Sequence, residues 1–586
     1  MPFHPLSEYG AIGNHASTAL VSSQGSIDWL CLPYLDSPSH FASLLDENKG
    51  GRFQICPEGE FHSQQRYLPQ SQILETHFKT ATGEGILLDW MPWESSSLSK
   101  SDDPVINRRI EMLHGKLTWS IHCSPRFHYG AHPGLAEPLS DGFLFRGAMP
   151  DELARLRTQF PLREAAATTF TLEGRQSAQF QWCWGRSFRR SPLGFPGPTL
   201  EAWRAIAHRC QLPSCFFAGP WHEWVARSSL VLRTLFSPHT GTFARAATTS
   251  QQDDRITQIR DCGLTYQALL ALGLIDEAQA FGHWLHCLLL RDGAEDLQPV
   301  YSLDGGRKIT EHEIPDLMGY QGIRPVRVGN QSARRFQLDI YGHLMLGLYE
   351  HLKGKTLISE KTAERLRELA DTVCEIWKRP DHGPFESAGR PEHFVTSKVM
   401  CWVALDRVIS LYKNTGRFPL KRWAQEREII HRTVCEQGYS STRQSFVRSF
   451  GNSELDSSVL LIPLVGFLPI EDPRVSETLS ALQNSLSQGV LIHKTETAEH
   501  GAGNGGLHIP SSLMLAACIA LLGRAGEARD RLAELCSFAT PLGLFGETLH
   551  PDRKARRRFP LRGLPHCAHQ RRALRGNRSG KSQRAP

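Results

Sequence analysis

The chain has 586 residues, 40% of them apolar and 22% charged, which is longer than one hydrophobic core usually supports, so two domains of unequal size are expected. Its formal charge of +6 is concentrated at the C-terminus: twelve Lys and Arg side chains lie between Arg553 and Arg584 with no acid among them, and subtracting these twelve leaves a body of −6. A mildly acidic body excludes a general attraction to nucleic acid or an anionic membrane, and neither an export-type leader nor a run of about 18 apolar residues is found.

A cytoplasmic protein with no membrane partner is therefore expected. The fourteen cysteines form no CxxC pair and no His-spaced zinc pattern. Cys374, Cys401 and Cys518 sit inside apolar helical patterns and read as buried thiols, so no metal is expected.

Up to about Pro220 the chain reads as short strands with period-two patterning: ALVSS, IDWLCL, QILETHFKT, GILLDWM, INRRIEML and FTLEG, broken by Gly, Pro and Ser. That pattern predicts an antiparallel β-sandwich over residues 1–219. The period becomes helical at PWHEWVARSSLVLRTLF, which opens a region spanning 220–560. Ten further helices are predicted, at residues 260–274, 277–290, 336–353, 361–378, 394–414, 420–437, 455–468, 474–486, 511–522 and 526–538. Several are apolar on more than one face, so they pack on both sides. Periodicity leaves a bundle, a solenoid and a closed toroid open.

Long loops between helices are where a site could be built. Glu386 lies in one of them, RPDHGPFESAGRPEHF, where Phe385 beside it would partly desolvate the carboxyl group and raise its proton affinity, as a general acid needs. Read without its neighbours, a loop glutamate is a solvated surface residue.

The surrounding words carry more. PDHGPFE followed by HFVTSKVMCWVALDR resembles the PDxGIWE and HFVxSKVMCWVALDR segment of glycoside hydrolase family 15, in its bacterial trehalase-like and glucoamylase-like forms. SEYGAIGNHASTALVSSQGSIDWLCLPYLDSP, GYQGIRPVRVGNQSARRFQLDIYG and SSVLLIPLVGFLPIEDPRV resemble further family blocks, in order. The resemblance implies an N-terminal β-sandwich followed by an (α/α)6 toroid, and hydrolysis of α-glucosides such as trehalose or α-1,4-glucan oligosaccharides with inversion. It implies a small carbohydrate as substrate and no cofactor.

Carried over residue by residue, the resemblance puts the proton donor on Glu386. GLFGETLHPD stands where the family has a GLLAEEYDP-like segment, which puts the general base on Glu547, although Thr548, Leu549 and His550 differ from the family neighbours. Arg260 and Asp261 match an arginine-aspartate pair that holds hydroxyls of the sugar being cleaved; an Arg forks to two oxygens and an Asp accepts from hydroxyls. A helix-terminal salt bridge is the other reading of that pair.

The chain departs from the family at three places. QDDRITQIRD replaces a WDYRYxWLRD run, so Gln252, Asp254, Ile256 and Gln258 stand where four aromatics would wall the sugar. GAGNGGLHIPSS puts Gly505 where a loop acid is expected. Past Phe559-Pro560 the family's apolar closing helix is replaced by the basic tail 561–586. Read one nucleotide later, the codons permitted by His566–Leu574 allow Ile-Ala-Leu-Ile-Asn-Ala-Ala-Leu, so a frameshift near Leu561 is expected. A nucleic-acid contact through RKARRR is the competing reading of the tail. The same departures leave open a degenerate family member that keeps the fold and sugar binding with little turnover.

Overall fold

The computed structural model describes residues 3–93, 105–150, 152–160, 167–185, 195–207, 215, 217, 219–249, 253–355, 357–385, 390–413, 417–418, 420–496, 506–549 and the backbone of 555–557. Four positions singled out in the sequence, Gln252, Glu386, Gly505 and His550, lie outside the described residues, as does the tail 561–586.

Fourteen strands of the described residues join in one antiparallel sheet. Its spine is the 20-residue strand Val105–Ser124. The first half of that strand pairs with Gly83–Trp90 and Ser177–Trp184, the second half with Arg52–Pro57 and Ala167–Glu173. The halves meet at Gly115, whose φ of +74° and close approach to the Thr82 carbonyl leave no room for a side chain. Strands such as Arg52–Pro57 and Leu153–Thr158 alternate buried and half-buried residues, as period two demands.

The three opening strands, Tyr9–Gly13, Thr18–Ser22 and Ser26–Cys31, break that rule, because every residue in them is buried. The helical half covers their second face. Thr18 donates to the Thr234 carbonyl at 2.9 Å, Trp29 donates from Nε1 to the Ala247 carbonyl at 2.7 Å, and a Cβ on Gly10 would come within 3.2 Å of Leu542. Leu20, Val21 and Trp29 belong to the same apolar core as Val231, Ile509 and Phe545.

Twelve α-helices follow among the described residues: α1 Gly197–Ile206, α2 His222–Thr234, α3 Cys262–Leu272, α4 Ile275–Asp292, α5 Asp339–Leu352, α6 Glu360–Ile376, α7 Val395–Tyr412, α8 Leu420–Gln437, α9 Leu461–Leu464, α10 Pro473–Leu486, α11 Ile509–Leu521 and α12 Ala525–Cys536. Local chemistry sets several starts. Ser359 accepts from the Thr362 amide to cap α6, Asp472 caps α10 ahead of Pro473, and His508 caps α11 by accepting from the Ser511 amide.

Helices α5, α7 and α11 are buried nearly all round, whereas α6, α10 and α12 bury one stripe, Val475, Leu479, Leu482 and Leu486 in α10. All eleven predicted helices are present. The one expected over 455–468 is divided into a 3-10 turn at Ser457–Leu460 and the short α9, because Pro463 cannot donate and Gly466, at φ +77°, turns the chain. Helix α1 was not anticipated; it starts from a Pro-Gly-Pro run and precedes Pro220.

Candidate active site

Arg260 and Asp261 lie in the 3-10 turn Ile259–Asp261 that leads into α3. The turn is anchored by strand Ile256–Gln258, which pairs with Val300–Ser302. Arg260 donates from Nε to Asp339 Oδ2 at 2.6 Å, and from Nη2 to Gln337 Oε1 at 2.9 Å and to the Gly383 carbonyl at 3.2 Å. Asp339 opens α5 and is fully buried.

Beside this arginine the start of the segment 380–385 is fastened by Asp381. Its Oδ2 accepts from the Leu338 amide at 3.0 Å and the Ser397 hydroxyl at 2.9 Å. Burial pushes the Asp381 carboxyl up to about 6, and Asp339 nearby adds to the effect. Lys398, whose ammonium is pulled down by burial, donates to the Arg379 carbonyl. Glu386 itself is not described, but Phe385 immediately before it lies edge-on to the His508 ring at 6.1 Å, with Lys494 Nζ 5.4 Å over its face.

His508 and Lys494 both reach Glu547. That carboxylate, 2% exposed, has Lys494 Nζ at 3.3 Å, Arg245 Nη2 at 3.4 Å and His508 Nε2 at 3.4 Å. Burial lowers the His508 imidazole to about 4, so it is neutral near pH 7. Because Nδ1 accepts from the Ser511 amide, the proton sits on Nε2 and is donated to Glu547. Backbone pairing fixes the pair: Leu507–His508 pairs with Thr548–Leu549, which pairs in turn with Ala555–Arg557.

Arg245 joins the two groups. Its Nε lies 3.6 Å from Asp261 Oδ2 while Nη2 faces Glu547. The structure thus brings Arg260, Asp261, Glu547 and Phe385 into one cluster, although they span nearly 300 residues of chain. Arg245, Lys494 and His508 were not anticipated from the sequence; they stand on three separate segments, and only the Gly-rich surroundings of His508 hinted at a functional loop.

Of the positions expected to lack aromatics, Asp254, Ile256 and Gln258 are all buried. Ile256 packs on Val300 and Ala333, and the Asp254 carbonyl accepts from the Arg245 and Ala246 amides. Among the described residues no group of three or more His, Cys, Asp or Glu is placed to hold a metal, and no helix is long and apolar enough to cross a membrane. What the cluster offers is two acidic side chains facing three donors, with Asp261 the more open at 32% exposed. Such a set can hold hydroxyls and take a proton from water.

The family model for glycosyl hydrolases family 15 matches residues 221–506, and that for the trehalase-like N-terminal domain matches residues 3–155. The chain is 31% identical over 595 residues to a trehalase of Mycobacterium tuberculosis, covering 94% of this chain and 86% of that protein. It is 30% identical over 571 residues to a trehalase of Thermoplasma volcanium, covering 93% and 89%. A crystal structure of a bacterial glucoamylase complexed with acarbose has a TM-score of 0.69 at 11% identity, over 98% of this chain and 93% of that one, so the fold is shared along the whole length. With one family model on each half and relatives aligned across both, the chain belongs to glycosyl hydrolase family 15.

Proposed function

We propose that the protein is an inverting glycosidase that releases glucose from trehalose or from α-1,4-linked glucose oligosaccharides, with Glu386 as general acid and Glu547 as general base. The observation that carries this reading is the surrounding of Glu547: a buried carboxylate faced by two cations and an imidazole N–H, one guanidinium away from Asp261, with its partners His508 and Lys494 lying against Phe385, the residue that precedes Glu386. Trehalose is favoured because both aligned relatives are trehalases.

In the reaction Glu386 gives its proton to the glycosidic oxygen as the bond to the anomeric carbon breaks. Glu547 takes a proton from water, which attacks that carbon from the opposite face. Inversion calls for roughly 6.5–9.5 Å between the two carboxyl groups, room for that water. Arg260 and Asp261 hold hydroxyls of the glucose being released. No cofactor enters these steps. The alternation of fully buried and amphipathic helices supports closure into an (α/α)6 toroid, and a sheet divided along Val105–Ser124 supports a β-sandwich. Free buried thiols such as Cys123, Cys401 and Cys518 support a cytoplasmic location.

The test is glucose release from trehalose, maltose and starch by the purified protein, with the anomer followed by NMR. From trehalose, β-glucose from the attacked ring appearing first in equal amount with α-glucose from the leaving ring, and lost in Glu386→Gln and in Glu547→Gln, supports the reading. α-Glucose alone appearing first, or full activity in either variant, overturns it. Sugar binding without turnover would assign the chain to the degenerate alternative that the missing aromatics raise.

A further inference from the structure

Arg245 stands between the sugar-holding and water-activating parts of the proposed site. Its backbone is fixed from the segment that lacks the expected aromatics: the Arg245 amide donates to the carbonyls of Asp254 at 3.0 Å and Ile256 at 3.1 Å. Its side chain, 17% exposed, forks to two carboxylates on different elements, Asp261 beside α3 and Glu547 before strand Thr548–Leu549.

Both separations, 3.6 and 3.4 Å, exceed the roughly 2.7–2.9 Å of a tight charge-assisted bond, so the guanidinium is shared rather than committed. Two carboxylates held near one another repel, and each makes the other harder to ionise. One planar cation between them offsets that repulsion and fixes their relative placement. The other groups facing the pair differ in kind. Lys494 is a cation on Glu547, His508 is neutral there, Arg260 is engaged by Asp339 and Gln337, and His343, which burial lowers to about 4, is neutral near Asp339 and Asp261.

We propose that Arg245 is a positioning residue that couples sugar recognition at Asp261 to the base Glu547, orienting the sugar by charge where stacking aromatics are missing. This rests on the assignment of Glu547 as base. A substrate hydroxyl that binds Asp261 then meets a carboxylate already placed relative to the attacking water. A site without the fork would bind sugar in several orientations and keep its base protonated to higher pH.

The experiment compares Arg245→Gln and Arg245→Lys with the wild-type protein on trehalose, or on maltose if that is hydrolysed faster. It measures kcat and KM across pH and sugar binding by calorimetry. In Arg245→Gln the acid limb of kcat/KM is expected to move up by about one pH unit, with KM raised several-fold. Arg245→Lys restores the limb, since charge is kept, and leaves KM raised, since a lysine cannot fork. An acid limb in Arg245→Gln that coincides with wild type overturns the proposal. Should Arg245→Gln fail to fold, a wild-type KM in Arg245→Lys overturns it instead. An unmoved limb together with an inactive Glu547→Gln leaves the proposed function standing and removes only Arg245. An active Glu547→Gln, or a wild-type chain that neither binds nor hydrolyses either sugar, removes both.

Discussion

Arg260 donates to the Gly383 carbonyl at 3.2 Å, so the side chain proposed to hold sugar also fastens the segment that leads to Glu386 three residues later. The two tasks share one guanidinium, braced from behind by Asp339. Replacing it by lysine keeps the charge and loses the planar fork. Arg260→Lys is expected to lower kcat by about 100-fold through displacement of the loop, in addition to raising KM. Steady-state kinetics check this, and a change confined to KM would limit Arg260 to sugar binding.

Asp381 sets a pH dependence of stability. Its folded-state carboxyl titrates near 6, above the ordinary value of 3.8. Between about pH 4 and 6 the folded chain therefore holds a proton that the unfolded chain has released, and stability falls as pH rises through that window. Asparagine can still accept from the Leu338 amide and the Ser397 hydroxyl without a buried charge. Asp381→Asn is expected to abolish the fall of about 3 kcal/mol that this carboxyl contributes between pH 4 and pH 7. Asp456, raised to about 6 by its own burial, is unchanged in the comparison and cancels. Denaturant unfolding at the two pH values measures the difference.

Arg255 ties the halves together from a fully buried position. It donates to Asp253 at 2.9 Å, to the Tyr129 hydroxyl at 2.7 Å and to the Ser37 carbonyl at 2.9 Å. Arg255→Met removes the cation and leaves the Asp253 carboxylate buried without it. The expected loss is about 3–5 kcal/mol, read as a drop in unfolding midpoint; a loss under about 1 kcal/mol would show that the pair is dispensable.

The basic tail is a question for the gene. Resequencing is expected to find the reading frame displaced near Leu561, and the corrected frame to encode an apolar helix. An unbroken frame, with an intact mass of the purified protein at 65.7 kDa, would establish the tail as real.

Helical periodicity was enough to place the helices because each carries its own pattern of apolar spacing. Helix α8 begins and ends at the predicted residues, Leu420 and Gln437. Tertiary contacts override local pattern in two places, although the strand expected at IDWLCL is present. Ser26–Cys31 shows no alternation because both its faces are covered, and α1 hides behind a Pro-Gly-Pro run that reads as a turn. Arg260, Asp261 and Glu547 were reachable only through resemblance to family words; no periodicity marks them. Arg245 and Lys494 had no such word. Their significance lies in a convergence on Glu547 from positions 302 and 53 residues away, which spacing along the chain does not encode.

The doubly covered opening strands have a consequence for how the protein comes apart. Leu20, Val21 and Trp29 contribute to one apolar core with Val231, Ile509 and Phe545, residues drawn from both ends of the chain. The β half therefore cannot detach without stripping the helices that carry Glu547's neighbours. Heating should melt both halves in a single calorimetric transition, and a hinge between them is not available as a way of opening the candidate site.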